Sequence, residues 1–276
     1  MLLELGERSY DLTTRSLVMG ILNRTPDSFF DRGEYFGLDA FYRRAEQLVK
    51  DGADLLDVGG VKAGPGPDVG EAEELERVVP AIAALRARFD MPVSVDTWRG
   101  SVAAEAYRAG AVLGNDISGF GDPSFLPAAA EAGAAVVATH IRLAPRIADP
   151  DPHYDDVVED VASFLVERAS WARQAGIPDT RIIVDAGLDL GKTAAQSVAL
   201  LRASDRLASL GWPLLLSASN KTFLGVLFGL EIADRASATM AAHSVGVSLG
   251  CRILRAHDVR AARRVCDTLA AVMEAA

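Results

Sequence analysis

Carboxylate, amide, imidazole and basic side chains follow each of eight short apolar runs along the chain. These residues are Asn23, Asp57, Asp96, Asn115 with Asp116, His140, Asp185, Ser219 with Lys221, and Arg255 with His257. Asp96, Asn115 and Asp185 could bind the N–H, amine and carbonyl groups of a heterocycle, at about 1.5–3 kcal/mol for each charge-assisted hydrogen bond. A second interpretation stays open for Asp96 and Asp116, which could instead cap the next helix or tie down a loop.

The basic residues in the last quarter of the chain indicate an anion site. Lys221 lies at the start of a helical segment, and Arg255 and His257 follow the last apolar run. Barrel enzymes often bind phosphate in this region, at the N-terminus of a helix. Asn23 could then ligate a Mg²⁺ ion that bridges phosphate oxygens, because Mg²⁺ prefers oxygen ligands and keeps several waters. The alternative for Lys221 is a solvated surface position.

Short strand-like runs alternate with longer runs of helical period from one end of the chain to the other. The predicted strands are 17–22, 54–58, 92–95, 112–115, 135–139, 181–184, 213–216 and 252–255. The predicted helices are 39–50, 71–89, 100–109, 123–132, 155–175, 194–210, 233–249 and 258–274. This alternation predicts an α/β fold, a (β/α)₈ TIM barrel with the polar residues at the carboxyl ends of its strands. An open doubly wound sheet would need a glycine-rich phosphate loop after the first strand, and residues 21–26 contain none.

Residues 2–11 come before the first barrel strand and predict a short β-hairpin that turns at Gly6 and Glu7. No linker, low-complexity segment or charge block divides the sequence. We therefore expect one domain over residues 1–276.

The composition excludes several classes of protein. The chain has 276 residues, 50% of them hydrophobic, and a formal net charge of −10, which excludes a disordered chain and argues against nucleic-acid binding. The only cysteines, Cys251 and Cys266, are too few for a disulfide framework and fit a reducing cytosol. No apolar run reaches the ~18 residues of a membrane helix, and acids interrupt the N-terminus before a signal-peptide core forms. We expect a cytoplasmic protein without a membrane or nucleic-acid partner.

Three other signals are weak. Residues 187–193 resemble the end of a P-loop but lack its spacing and strand context. The four histidines do not have the spacing of zinc ligands. Ser28 and Ser219 have no neighbouring His/Asp pattern, so a hydrolytic triad is not predicted.

In order along the chain, several segments resemble those of dihydropteroate synthases. They are 19–29 (MGILNRTPDSF), 57–60 (DVGG), 94–97 (SVDT), 115–119 (NDISG), Asp185 with 191–193 (GKT), 219–221 (SNK) and 255–259 (RAHDV). The resemblance implies a pterin-binding TIM barrel, generally a homodimer, that acts in folate synthesis. The family reaction joins a dihydropterin diphosphate to p-aminobenzoate and releases diphosphate with the help of Mg²⁺.

The resemblance also implies roles for individual residues. Asp96, Asn115, Asp185 and Lys221 would hold the pterin, with Asp96 and Lys221 also acting in catalysis. Asn23, Arg255 and His257 would hold the diphosphate, and Asn23 its metal.

The sequence departs from the family at the acceptor side of the site. The family's ESTRPG is VKAGPG at 61–66, so Ala63 and Gly64 replace a Thr and an Arg, and Lys62 could partly restore the lost charge. PGIGFGK is AGLDLGK at 186–192, so Leu190 replaces an aromatic wall and Asp189 adds a negative charge. SRK is SNK at 219–221, where Ser219 remains in the acceptor pocket, and the first loop reads FDRG at 30–33. MHM after the fifth barrel strand is THI at 139–141.

These departures resemble those of the divergent second synthase-like group of actinobacteria and predict weak or absent ordinary synthase activity. Three alternatives stay open: a transferase that couples the pterin to a different nucleophile, an active dihydropteroate synthase, and a noncatalytic pterin-binding protein. A corrinoid-linked methyltransferase is less favoured, because it has no use for a diphosphate site at Arg255 and His257.

Overall fold

The computed structural model describes residues 1–24, 38–64 and 66–274. Its strands are β1 (Leu2–Leu5), β2 (Arg8–Asp11), β3 (Leu17–Asn23), β4 (Leu55–Gly59), β5 (Val93–Asp96), β6 (Leu113–Asp116), β7 (Ala135–Thr139), β8 (Ile182–Asp185), β9 (Leu214–Leu216) and β10 (Cys251–Ala256). Its helices are α1 (Leu38–Lys50), α2 (Glu71–Arg88), α3 (Gly100–Arg108), α4 (Phe125–Ala132), α5 (Val157–Gln174), α6 (Ala194–Arg202), α7 (Ser204–Ala208), α8 (Thr222–Phe228), α9 (Ala236–Ser248) and α10 (Val259–Glu274). The motif residues 25–29, the loop 30–33 and Pro65 lie outside the described residues.

The strands β3 to β10 are parallel and form a closed barrel in the order β10-β3-β4-β5-β6-β7-β8-β9. This confirms the predicted TIM barrel. The register pairs Asn23 with Gly59, Gly59 with Asp96, and Asp96 with Asn115 on four successive strands. The polar residues at these strand ends therefore lie side by side at the carboxyl edge of the barrel.

The predicted hairpin is formed by β1 and β2, which pair antiparallel from Leu2 with Asp11 to Leu5 with Arg8. Its buried Leu3 joins the residues inside the barrel, among them Leu17, in one apolar cluster. Because Leu17 begins its strand, the hairpin covers the amino-terminal end of the barrel.

A second apolar layer lies between the barrel and its helices. Phe41, Phe125 and Phe223 are among its fully buried side chains, each worth about 1.5–3 kcal/mol of transfer free energy. Cys251 and Cys266 are buried and unpaired, as the absence of a disulfide framework predicted.

Two predicted helices differ from the observed ones. The segment 194–210 contains two helices, α6 and α7, which meet at Ala203. The segment 233–249 starts as a 3₁₀ turn, Ile232–Asp234, before α9. The prediction placed a helix start at Lys221 but gave no bounds for α8, whose first N–H groups are capped by a carboxylate 33 residues earlier in the chain.

Within the described ranges, no helix combines the length and the apolar composition needed to cross a bilayer.

Candidate functional site

A cavity of about 430 Å³ opens at the carboxyl ends of the barrel strands. Nine of the predicted site residues line it: Asn23, Ala63, Gly64, Asp96, Leu190, Ser219, Lys221, Arg255 and His257. The other two, Asn115 and Asp185, are almost fully buried at the ends of β6 and β8. The structure thus places nine of the eleven predicted site residues around one cavity.

Arg255 joins two carboxylates in the floor of this cavity. Its Nε donates to Asp57 Oδ2 and its Nη2 donates to Asp96 Oδ2, both at 2.7 Å. The Asn115 amide also donates to Asp57 Oδ2, at 3.1 Å. Burial alone would lower the pKa of Arg255, but the two carboxylates outweigh it and raise that pKa. Arg255 therefore stays charged and fixes the orientation of Asp96.

The pKa of the Asp96 carboxyl also depends on its neighbours. Burial raises its pKa, as do the negative charges of Asp57 and Glu74, while Arg255 and Lys221 oppose the rise. Its carboxylate faces Arg255 and does not cap the next helix, because the first N–H of α3 is bound by Asp122. The capping alternative for Asp96 is therefore wrong.

Asp116 follows the alternative interpretation instead. Its carboxylate accepts hydrogen bonds from the backbone N–H groups of Ser118 at 2.6 Å and Phe120 at 2.9 Å. Burial raises its pKa to about 6. Asp116 ties down the loop after β6 and does not line the cavity.

Ser219 and His257 form a second pair at the rim. Ser219 Oγ lies 2.9 Å from His257 Nδ1 and accepts the backbone N–H of His257 at 3.1 Å. Burial, followed by the charges of Arg255, Arg44 and Lys221, lowers the pKa of His257 to about 3. The sequence analysis grouped His257 with the cations, whereas this low pKa favours a neutral imidazole that would hydrogen-bond an anion.

Asp185 ends β8, and Lys221 lies directly before α8, near enough to act on Asp185 through its charge. Asp185 Oδ1 accepts the N–H of Gly187 at 2.7 Å, and burial raises its pKa against that bond and the charge of Lys221. Lys221 Nζ donates to the carbonyl of Leu188 at 3.1 Å and is partly buried. Lys221 is therefore not a solvated surface residue, which removes the alternative left open for it.

Asp189, which adds a negative charge to this side of the site, also caps helix α8. Its carboxylate accepts the backbone N–H groups of Thr222 at 2.5 Å and Phe223 at 3.1 Å, at the N-terminus of α8. A carboxylate is stabilised there by the unsatisfied N–H groups and by the helix dipole. Asp189 has a left-handed φ of 67°, and it lines the cavity while it caps the helix.

Lys192 binds the loop after β8, which also contains Asp189. Its Nζ lies 2.8 Å from His140 Nδ1 and donates to the carbonyls of Gly187 at 2.9 Å and Leu190 at 3.0 Å. Burial lowers the pKa of Lys192 to about 7. Burial and the charge of Lys192 together lower the pKa of His140 to about 3. Lys192 thus binds the carbonyls of its own loop.

The sequence analysis missed two arginines that hold the rim. Arg146 donates to the carbonyls of Gly66, at 2.6 Å, and Pro67, and its N–H donates to the carbonyl of Ala63 at 3.2 Å. Arg235 lines the cavity and donates to the carbonyl of Asn220 at 3.0 Å. Neither arginine follows a predicted strand, so the pattern that located the other residues gives no signal for them.

The space around Asn23 fits a Mg²⁺ ion that arrives with a phosphate ligand. A Cβ on Gly59 would lie 2.9 Å from Asn23 Oδ1 and 3.5 Å from Asp96 Oδ2, so glycine keeps the gap between these oxygens open. Among the residues that the structure describes, no cluster of three or more His, Cys, Asp or Glu side chains could hold a metal alone. One amide oxygen suits an ion that takes its other ligands from phosphate and water.

Known proteins match this chain over nearly its whole length. Residues 19–257 match the family described as pterin binding enzyme. The "inactive dihydropteroate synthase 2" of Mycobacterium leprae is 42% identical over 94% of this chain and 91% of its own length. The dihydropteroate synthase of Bacillus subtilis is 38% identical over 94% of this chain and 89% of its own length.

Solved structures of dihydropteroate synthases have the same fold as this chain. The Yersinia pestis dihydropteroate synthase in a sulfonamide drug complex has a TM-score of 0.95 and 36% identity, with 100% of both chains covered. The Xanthomonas albilineans dihydropteroate synthase in complex with 7,8-dihydropteroate has a TM-score of 0.88 and 39% identity, with 99% of both chains covered. This chain belongs to the dihydropteroate synthase family of pterin-binding enzymes, which are transferases of folate synthesis.

Proposed function

We propose that this protein binds a 6-hydroxymethyl-7,8-dihydropterin diphosphate and has weak or no ordinary synthase activity toward p-aminobenzoate. The observation that carries this is the contrast between the two sides of one cavity. The floor keeps a buried, hydrogen-bonded set of Asp57, Asp96, Asn115 and Arg255, and the acceptor side is walled by the small or aliphatic Ala63, Gly64 and Leu190.

The floor suits a pterin ring. Asp185, Asp96 and Asn115 offer acceptors and an amide donor to the ring N–H, amine and carbonyl groups. Lys221 supplies a partly buried cation beside Asp185. The 7,8-dihydropteroate complex of the Xanthomonas albilineans relative supports a pterin ligand for this cavity.

The rim suits a diphosphate. His257 contributes a neutral imidazole, and Arg255 contributes a permanent charge with N–H groups beyond the two that bind carboxylates. Lys62 lines the cavity, and its ammonium makes no hydrogen bond within the described residues. Mg²⁺ held by Asn23 would neutralise charge on the diphosphate oxygens when it is bound.

The reaction class is a substitution at the pterin methylene carbon. The C–O bond to diphosphate breaks and diphosphate leaves with the electron pair. The nitrogen of an amine acceptor forms the new C–N bond, and its proton passes to water. Asp96 would stabilise positive charge on the pterin methylene, so the residues contribute charge stabilisation and positioning.

A turnover assay tests the proposed loss of ordinary activity. Purified chain is mixed with the pterin diphosphate, Mg²⁺ and p-aminobenzoate, with the Bacillus subtilis relative as the matched positive control. We expect a rate far below about 1 s⁻¹, the low end of common enzyme turnover. A rate equal to that of the control would show an active dihydropteroate synthase and contradict the proposal.

A different nucleophile is the second candidate function, and the reshaped acceptor wall favours it. A panel of amine acceptors with mass-spectrometric detection tests it, and no diphosphate release with any of them would overturn it. A noncatalytic pterin-binding protein would then remain. We also propose a homodimer, as is usual for the family.

A further inference from the structure

A second cavity, of about 160 Å³, adjoins the first between the loops that follow β4, β7 and β8. Four residues line both cavities: Ala63, Gly64, Asp189 and Leu190. The second cavity extends from them to Leu143, Arg146, Ile147 and Asp149 in the loop after β7. The two cavities are therefore neighbours across one shared wall.

This shared wall carries little side-chain bulk. Ala63 contributes one methyl group and Gly64 contributes none. A Cβ placed on Gly64 would contact none of the described residues within 4 Å, and the backbone there is not in the left-handed region. The position thus has space that a larger side chain would fill, and a ligand that reached from the first cavity to the second would cross this wall.

The charged groups of the second cavity already have partners. Arg146 binds loop carbonyls, and Asp149 accepts from Arg142 at 2.6 Å. Lys192 binds His140 and two carbonyls, and Asp189 caps α8.

The charges also balance, since the formal charges of two basic residues, Arg146 and Lys192, oppose those of two acids, Asp149 and Asp189. A charged ligand group would have to compete with these bonds after losing its water. A neutral polar group loses much less hydration free energy on burial than a charged group does. Apolar side chains such as Leu143 and Ile147 complete the wall.

We propose that the acceptor of this protein is an arylamine whose ring carries a neutral, hydrogen-bonding arm, such as an N-substituted carboxamide, and that this arm occupies the second cavity. At about 30 Å³ for each water-sized group, the cavity holds an arm of about five such groups. The inference rests on the proposed pterin site, because the first cavity must hold the ring for the arm to reach the second.

Binding of preformed conjugates tests the arm without requiring turnover. Calorimetry compares three compounds in which the same dihydropterin carries 4-aminobenzoate, 4-aminobenzamide or N-(2-hydroxyethyl)-4-aminobenzamide. We expect the hydroxyethyl amide to bind the full chain at least about tenfold more tightly than the acid. Equal affinities, or tighter binding of the acid, would overturn the proposal.

Substitutions in the shared wall locate the arm. Gly64→Phe would fill the passage and lower affinity for the hydroxyethyl amide by about tenfold or more, and affinity for the primary amide much less. Leu190→Phe provides a second blocking variant in the same wall. Gly70→Phe is the matched control, because its Cβ position is equally open and Gly70 lines neither cavity.

Equal losses for both amides in the blocking variants would place the arm elsewhere and overturn the inference. Titration with the free dihydropterin separates this failure from failure of the proposed function. If the free dihydropterin binds and the amides show no preference, only the arm is wrong. If the free dihydropterin does not bind, both the proposed pterin site and the proposed arm are wrong.

Discussion

Arg255 holds two carboxylates together at the mouth of the barrel, where Asp57 is fully buried and Arg255 itself is 16% exposed. Arg255→Met would leave both acids without their cation in a region of low polarity. We expect the free energy of unfolding to fall by about 3–5 kcal/mol, as for other broken buried pairs, measured by urea denaturation.

The control for Arg255 is an exposed ion pair of similar chemistry. Arg206 binds Glu159 at 3.1 Å on the surface. Arg206→Met should cost no more than about 1 kcal/mol. Equal effects of the two substitutions would show that the Arg255 cluster does not stabilise the fold.

His243 is a buried histidine on α9 that the proposed chemistry does not use. Neither ring nitrogen has a hydrogen-bond partner within the described part of the chain, and burial lowers its pKa to about 4. The unfolded chain therefore binds a proton below about pH 6.5 that the folded chain binds only below about pH 4, so this residue destabilises the fold as pH falls through that window.

His243→Leu should therefore match the parent chain or exceed it in stability at pH 7, and its advantage should grow by up to about 1.4 kcal/mol per pH unit between pH 6.5 and 4. Denaturant unfolding at a series of pH values measures this difference. His153→Leu, at an exposed position, provides the control without a burial effect. A difference between His243→Leu and the parent that does not change with pH would contradict the assignment.

At the level of single residues, the sequence predicted most of the residues in the candidate site, because polar residues at strand ends share one edge of a barrel. It could not predict the low pKa of His257, since that pKa depends on burial and on Arg255, Arg44 and Lys221, which only the fold brings near. It also missed the capping role of Asp189, because the helix it caps lies 33 residues later.

Among the elements, the loop after β4 is held by a residue from another loop. Arg146 binds the carbonyls of Gly66 and Pro67 and, through its N–H, that of Ala63. Its φ of 67° is left-handed, a region that asparagine tolerates better than most residues. Arg146→Asn should therefore remove the guanidinium bonds without new backbone strain.

We expect amide hydrogen exchange across residues 60–67 to speed up by about tenfold in Arg146→Asn, equivalent to about 1.4 kcal/mol of lost local stability. Mass spectrometry of peptides from this segment measures the rate. Arg142→Asn is the control, because it breaks the ion pair with Asp149 in the same loop without touching residues 60–67. Unchanged exchange in Arg146→Asn would show that this loop is held by other contacts.

The elements also differ in how well the sequence predicts them. The eight barrel strands follow from β-branched apolar runs between helical segments, and they appear close to the predicted bounds. The bounds of the short helix α8 were not predicted, because seven residues give little periodic signal and its cap comes from a distant loop.

Across the whole molecule, exposed apolar side chains cluster on helices that pack together. Val198 on α6, Val226 and Phe228 on α8, and Val245 on α9 are at least 37% exposed. This is the surface on which we place the contact of the proposed homodimer, because large apolar patches mark association sites.

Val226→Glu should therefore convert the dimer to a monomer in light scattering, because it would bury a carboxylate in the contact. Val272→Glu is the matched control, since Val272 is 62% exposed on α10 and Val226 is 67% exposed. A monomeric parent chain, or a dimer that survives Val226→Glu, would contradict this interface.

The barrel itself was predictable from the alternation of strands and helices, and the family from its motifs. The proposed acceptor was not, because the second cavity arises where the loops after β4, β7 and β8 meet. Such a junction leaves no local pattern in the sequence.

The central claim is that the floor of the first cavity binds a pterin diphosphate. Calorimetric titration of the full chain with 6-hydroxymethyl-7,8-dihydropterin diphosphate and Mg²⁺ tests it most directly, with Asp185→Ala as the variant. We predict saturable binding at one site per chain, weakened by about tenfold or more in Asp185→Ala. No binding to the parent chain, or equal binding to both, would contradict the account.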